Sequence, residues 1–240
     1  MKNYIAILST LLTFFSCNTE SREKGNGKIV PQEHAVREFT EIAVKGNFEI
    51  SLKKTNAPGI NITTDENLQE FIDVSQNGEI LYITAVRTLN SKKPIKITIG
   101  YTGLLAIGSS GTSVIRSDGQ IKGDYLRINM AGAGTIDLNV ALDALKATIS
   151  GAGAVILKGK VNEQNIQMTG AGGLDAYELI SQNCKIDISG VGGASINVKN
   201  KLEATVSGVG GISYKGNPQE VVSDISGLGT IKNAEKTEEG

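Results

Sequence analysis

Apolar and polar positions alternate along most of this chain, and the alternation is reset at intervals by a pair of glycines. Between Ser109 and Ile231 the chain reads SGTSVI, AGAGTI, SGAGAV, TGAGGL, SGVGGA, SGVGGI and SGLGTI in turn. The first glycines of these units are Gly111, Gly132, Gly151, Gly170, Gly190, Gly208 and Gly227, so the spacings are 21, 19, 19, 20, 18 and 19 residues. Two, four and six places before the glycines lie apolar sets such as Leu126, Ile128 and Met130, or Leu202, Ala204 and Val206. Leu105 and Ile107 open the series, and Val221 and Ile225 close it. Four and six places after the glycines lie Ile136 and Leu138, Val155 and Leu157, and finally Ile212 and Tyr214. A period of two puts alternate side chains on opposite faces of a strand. Each unit therefore predicts two short strands that meet at a glycine corner and keep one face dry.

The repeat length decides how the units associate. Two strands and a corner use up a repeat of roughly 19 residues, at about 3.3 Å per strand residue, and leave nothing for a crossover helix. The chain must coil, each turn lying on the last at about 4.8 Å, so that like side chains stack in ladders. The prediction is an all-β, parallel β-helix with glycine corners, its regular repeats spanning 105–232.

At each corner the sequence suggests a residue with φ > 0, which glycine adopts without steric cost. The second glycines are Gly134, Gly153, Gly172, Gly192, Gly210 and Gly229, and Ser113 replaces the first of them, which predicts a looser first corner. The residue before each first glycine is Ser110, Ala131, Ser150, Thr169, Ser189, Ser207 or Ser226, a hydroxyl column suited to bonding corner backbone. No helix follows any of these glycines, so GAGG at 170–173 is not a phosphate cradle.

Upstream, the strands from Phe39 to Ile99 lack the repeat. Gly46-Asn47 and Asn77-Gly78 read as turns, and Leu68, Phe71 and Ile72 fit a short helix. These irregular strands are expected to form the first coils of one domain over 39–232. Residues 1–16 read as a signal peptide: Lys2 is followed by an apolar stretch from Tyr4 to Phe15, too short to span a membrane in the mature protein. Ser16-Cys17 resembles a bacterial lipobox, in which Cys17 becomes the lipidated first residue and anchors the protein to a membrane. Residues 17–38, with Gly25, Gly27 and Pro31, are expected to be a flexible tether from that anchor. Residues 233–240 form a charged tail.

Composition narrows the functional classes. The net charge of −1 carries no basic patch, which argues against a nucleic-acid partner. There is one histidine, His34, so no metal site is expected. Of two cysteines, Cys184 falls in an inward column and is expected to be a buried, inert thiol. Catalysis on a β-helix needs carboxylates gathered on neighbouring coils. Here Asp137 and Asp175 are separated by Ile156, and Asp187 and Asp224 by Thr205. No catalytic residue or cofactor is therefore assigned.

The corners, the lipobox and the segment VKGNFEISL…NITTDENL…NGEILYI running into PIKITIGYTGL together resemble the head GIN domain family of auto-transporter adhesins, common in Bacteroidetes. The resemblance covers about residues 39–230. It implies a right-handed β-helix shaped like the pectin lyases without their catalytic residues, and a role in adhesion at the cell surface. The expectation is a non-enzymatic lipoprotein of the cell envelope or outer membrane, with a surface glycan or protein as ligand. The alternatives are a polysaccharide-active β-helix enzyme and a periplasmic scaffold. Oligomeric state is not legible.

Overall fold

The computed structural model describes residues 22–235. The signal segment and Cys17 lie outside the described residues. In chain order the strands are β1 (Arg22–Lys24), β2 (Ile29–His34), β3 (Glu41–Lys45), β4 (Glu49–Lys54) and β5 (Gly59–Asp65), then a 3-10 helix (Glu66–Phe71). There follow β6 (Ile72–Asn77), β7 (Ile80–Ala85), β8 (Thr88–Asn90), β9 (Lys96–Tyr101) and β10 (Ala106–Ser109). The regular part comprises β11 (Val114–Met130), β12 (Thr135–Ile149), β13 (Ala154–Met168), β14 (Gly173–Ile188) and β15 (Val191–Val206). The last coils are β16 (Val209–Lys215), β17 (Glu220–Ile225) and β18 (Leu228–Asn233).

From β10 to β18 every pairing is parallel, each coil lying on its predecessor, so the fold is the β-solenoid that the repeat length requires. A coil is not two short strands, however. In the regular part it is one strand of 15–17 residues that bends without breaking. In β12 the buried positions run Ile136, Leu138, Val140 and Leu142, then resume at Leu145, Ala147 and Ile149. The alternation slips by one residue at Asp143-Ala144, which marks a corner that carries no glycine.

The glycine corners are required for a reason other than the one the sequence suggests. Among their glycines only Gly210 has a positive φ. The reason is stacking. A Cβ built on Gly132 would lie 1.8 Å from the Gly111 carbonyl oxygen, and one on Gly170 would lie 2.1 Å from that of Gly151. The same carbonyl oxygens accept hydrogen bonds from the next coil, Ala133 N–H to Gly111 at 3.0 Å and Ala171 N–H to Gly151 at 3.0 Å. Left-handed glycines occur instead at another bend, with φ of +97° at Gly119 and +107° at Gly159. The glycine column also reaches one coil further than the repeat suggests, because Gly111 stacks on Gly46. Nor is the first corner loose. Ser113 is fully buried, its Oγ donating to the Gly46 carbonyl at 3.1 Å and accepting from the Phe48 N–H at 3.2 Å. In the hydroxyl column, Ser110 and Ser150 donate to the carbonyls of Val44 and Met130.

The irregular front belongs to the same solenoid but is stacked out of chain order. β3 lies between β7 and β10, and β4 between β9 and β11. The coil 41–54 is thus sandwiched between two later segments. Antiparallel pairs close this end: β2 with β5, β5 with β9, and β6 with β7 through a two-residue turn at Gly78. Leu68 of the 3-10 helix is fully buried beneath them.

Two sequence expectations are corrected here. Residues 22–38 are not a free tether. β2 pairs along its whole length with β5, β1 pairs with β8, and the Asp65 carboxylate, itself buried, accepts from the Gly27 N–H at 2.6 Å and from Ser91 Oγ. Backbone pairing holds this polar stretch, and backbone pairing leaves no mark in composition. Second, Leu105, Val221 and Ile225 are exposed rather than buried. Leu105 sits where the chain crosses from β9 to β10, and Val221 and Ile225 lie on the last coil.

The interior of the regular coils is largely aliphatic, and its polar exceptions are Ser181, which donates to the Asn197 carbonyl at 3.0 Å, and Gln164. Gln164 is 3% exposed, in the ladder Leu126, Leu145, Gln164, Cys184 and Leu202, and neither its amide oxygen nor its nitrogen has a protein partner. Beside it Cys184 is free and buried, and burial pushes its thiol up to about 12, so it stays protonated and unreactive at neutral pH.

Three expected outcomes follow. Gly170→Ala should lower stability by about 1–3 kcal/mol in urea unfolding, since the added methyl meets backbone that cannot move aside. Gly173→Ala, whose Cβ would meet only a carbonyl oxygen at 4.0 Å, should stay within about 0.5 kcal/mol of the parent or exceed it. Equal losses would sink the stacking account. Gln164→Leu, which removes an unpaired buried amide at similar volume, should raise stability by about 1–3 kcal/mol.

The third outcome concerns pH. The Ser91 hydroxyl, then the Gly27 N–H and the Lys92 charge, hold the Asp65 carboxyl below its usual value against the opposing effect of burial. The unfolded chain therefore takes up the proton first as pH falls. The contribution of Asp65 is complete at neutral pH and is lost as pH drops from about 3.9 through the depressed folded value. Asp65→Asn should be less stable than the parent at neutral pH, with the gap in urea midpoint closing as the pH falls through the depressed folded value.

Candidate binding face

The outward columns carry whatever this solenoid presents to a ligand. The structure keeps the candidate carboxylates apart, as the sequence indicates: Ile156 pairs with both Asp137 and Asp175, and Thr205 with both Asp187 and Asp224. Among the described residues no three His, Cys, Asp or Glu side chains form a group able to hold a metal ion. Also among them, no helix is long and apolar enough to cross a membrane.

An open groove of about 650 Å³ runs along the face that follows the slipped corner. Register builds it. Tyr125, Ala144, Glu163, Asn183 and Lys201 occupy one position in five successive coils. Two places on, Arg127, Lys146, Asn165, Lys185 and Glu203 form a second such column. Both columns face outward because Leu126, Leu145, Gln164, Cys184 and Leu202 between them turn inward.

The polar groups of the groove are linked along the solenoid axis. Asn200 Nδ2 donates to Asn183 Oδ1 at 2.8 Å, and Asn183 Nδ2 donates to Glu163 Oε1 at 2.6 Å. Each amide thus spends one donor on its neighbour and keeps the other for a ligand. Lys201 lies 3.0 Å from Glu203 and 3.2 Å from Glu220. Hydrogen bonds to Glu203 and Glu220 hold the lysine above its usual value, and Lys201 in turn holds Glu203 below the usual carboxylate range. The groove therefore presents fixed charges of both signs throughout the physiological range. Ala144 and Tyr125 share one column in adjacent coils, and Tyr125 is 38% exposed. An aromatic ring with its face partly free beside planar amides and carboxylates suits an extended ligand with both polar and apolar faces.

A second, shallower trough of about 520 Å³ follows the glycine corners, with Gly173, Gly193 and Gly211 as its floor. Exposed Val191, Val209 and Leu228 stand along the corner beside it. The sequence reading missed the groove because it followed only the columns that carry the candidate carboxylates. The groove columns lie five and seven places before Gly132, Gly151, Gly170, Gly190 and Gly208, and were legible there.

The model of the family described as "putative auto-transporter adhesin, head GIN domain" matches residues 38–218. The chain belongs to the head GIN domain family. Its fold is similar to that of a putative adhesin from Bacteroides fragilis, with a TM-score of 0.84 and 25% identity over 88% of this chain and 99% of that one. It is similar also to a protein from Parabacteroides distasonis described as a putative lipid binding protein, with a TM-score of 0.74 and 22% identity over 89% of this chain and all of that one. A putative adhesin from Parabacteroides merdae follows at a TM-score of 0.63 and 23% identity, over 89% of this chain and 99% of that one. The last two likenesses are of fold alone. No curated protein matches the chain. The head GIN domain here is thus a solenoid whose relatives bear the names of adhesins and a lipid-binding protein, not of enzymes.

Proposed function

We propose that this protein is a non-enzymatic binding protein of the cell envelope, held to a membrane through lipidated Cys17, that grips an extended glycan in the groove between Tyr125 and Lys201. The observation that carries the reading is the axial chain of Asn200, Asn183 and Glu163, which offers spaced donors and acceptors in one line along successive coils. The exposed ring of Tyr125 at one end supplies an apolar platform. The family description as an adhesin supports the class of function. The separation of the outward carboxylates weighs against the reading as a polysaccharide-cleaving enzyme, because neither of the two pairs is adjacent.

The test is binding of the purified protein to an array of bacterial and host glycans, with Tyr125→Ala and Asn183→Ala alongside. Each variant should lose binding on the order of tenfold or more while its unfolding midpoint stays near that of the parent. Binding that survives both changes places the ligand elsewhere. Retention of proteins and of no glycan makes the ligand a protein, and shortening of a bound glycan makes the protein an enzyme.

A further inference from the structure

The two ends of the solenoid are finished differently. At one end the antiparallel strands and the 3-10 helix cover the core. At the other, β17 pairs only with β15 and β18 only with β16, so among the described residues nothing pairs with their outer edges. The interior ladders run straight out into this end: Leu202 stacks on Val221, and Val206 on Ile225. Val221 is 41% exposed and Ile225 46%. Unpaired backbone beside exposed core residues is a template for another strand.

We propose that this end is an interface between two copies of the chain, which meet end to end about a two-fold axis through the corner at Ser226-Gly227. The strand geometry selects this arrangement. β17 runs into the corner and β18 runs out of it, so a two-fold through the corner sets β17 of one copy antiparallel to β18 of the other. Inward positions must oppose inward positions, because a shift of one residue turns every side chain to the other face. Val221 then faces Ile231 of the second copy, and Glu220 faces its Lys232. Both pairs occur twice by symmetry. One is apolar and the other oppositely charged, and this complementarity between two strands of the same chain is the reason to name a second copy as occupant. The Ser226 residues of the two copies face each other at the axis. The proposal rests on other strands than the glycan groove and meets it only at Glu220, which also pairs with Lys201 at 3.2 Å within its own copy. If Cys17 anchors the opposite end, such pairing joins two apposed membranes rather than neighbours on one.

The test is disulfide trapping in the full chain. Ser226→Cys should give a cross-linked dimer on mild oxidation, seen as a doubled mass on a non-reducing gel. Ser110→Cys, in the same exposed column near the capped end, should not. Lys232→Glu added to Ser226→Cys should cut the dimer fraction on the order of tenfold, by setting like charges opposite each other at two symmetric sites. Adding Glu220→Lys as well should restore it. No dimer from Ser226→Cys, equal dimer from both cysteine positions, or insensitivity to the charge reversal overturns the proposal. So does a cross-link from Ser226→Cys to a different protein.

Discussion

The structure depends on one close approach. At every regular corner a glycine carbonyl oxygen occupies the space where the next glycine would carry a Cβ, and it accepts a hydrogen bond from the residue after that glycine. The approach and the hydrogen bond are one geometric fact. Corner N–H groups can pair with the coil below only if the two backbones come within van der Waals distance of each other. A methyl there would separate the coils or leave those groups unpaired at a cost of about 1–3 kcal/mol each. Because the column runs from Gly46 to Gly227, it sets the relative position of the coils from 41–54 onward, including that coil, whose chain neighbours lie elsewhere in the stack.

Once the corner fixes the stacking, the rest of each coil is free to specialise by face. Inward positions must fill a narrow interior, and they do so with Ile, Leu, Val, Met and Ala. Gln164 departs from this in one coil, and Ser181 and Cys184 in the next. Outward positions carry no such demand, so cross-coil neighbours on that side can be selected for what they bind. The chain of Asn200, Asn183 and Glu163 uses this freedom. It adds no corner and fills no core, and the same coils would stack with alanines in those places.

Much of this was legible. A period of two with a reset every 18–21 residues leaves little but a parallel coil, and the inward columns from Leu126 to Val206 are buried as read. What the sequence hides is what depends on contact between coils. Glycine in a corner looks the same whether a positive φ or a close neighbour demands it, and here the neighbour decides. The polar segment 22–34 looks like a tether because its order rests on backbone pairing with β5 and on the carboxylate of Asp65, both remote in sequence. The insertion of coil 41–54 between two later segments is likewise invisible, because the spacing from Gly46 to the next corner at Gly111 is far from one period.

A stack held by interchangeable coils has no intrinsic stopping point, since the last coil offers the next the same template it received. The antiparallel strands cover the core at one end, while among the described residues β17 and β18 leave it exposed at the other, so a head-to-tail contact would set an open core against a covered one. The association that remains open is between two like ends. It uses up both templates and closes, where a head-to-tail contact would propagate into a fibre. In the proposed pairing, the asymmetry between the ends turns the hazard of an exposed strand edge into an interface that stops at two.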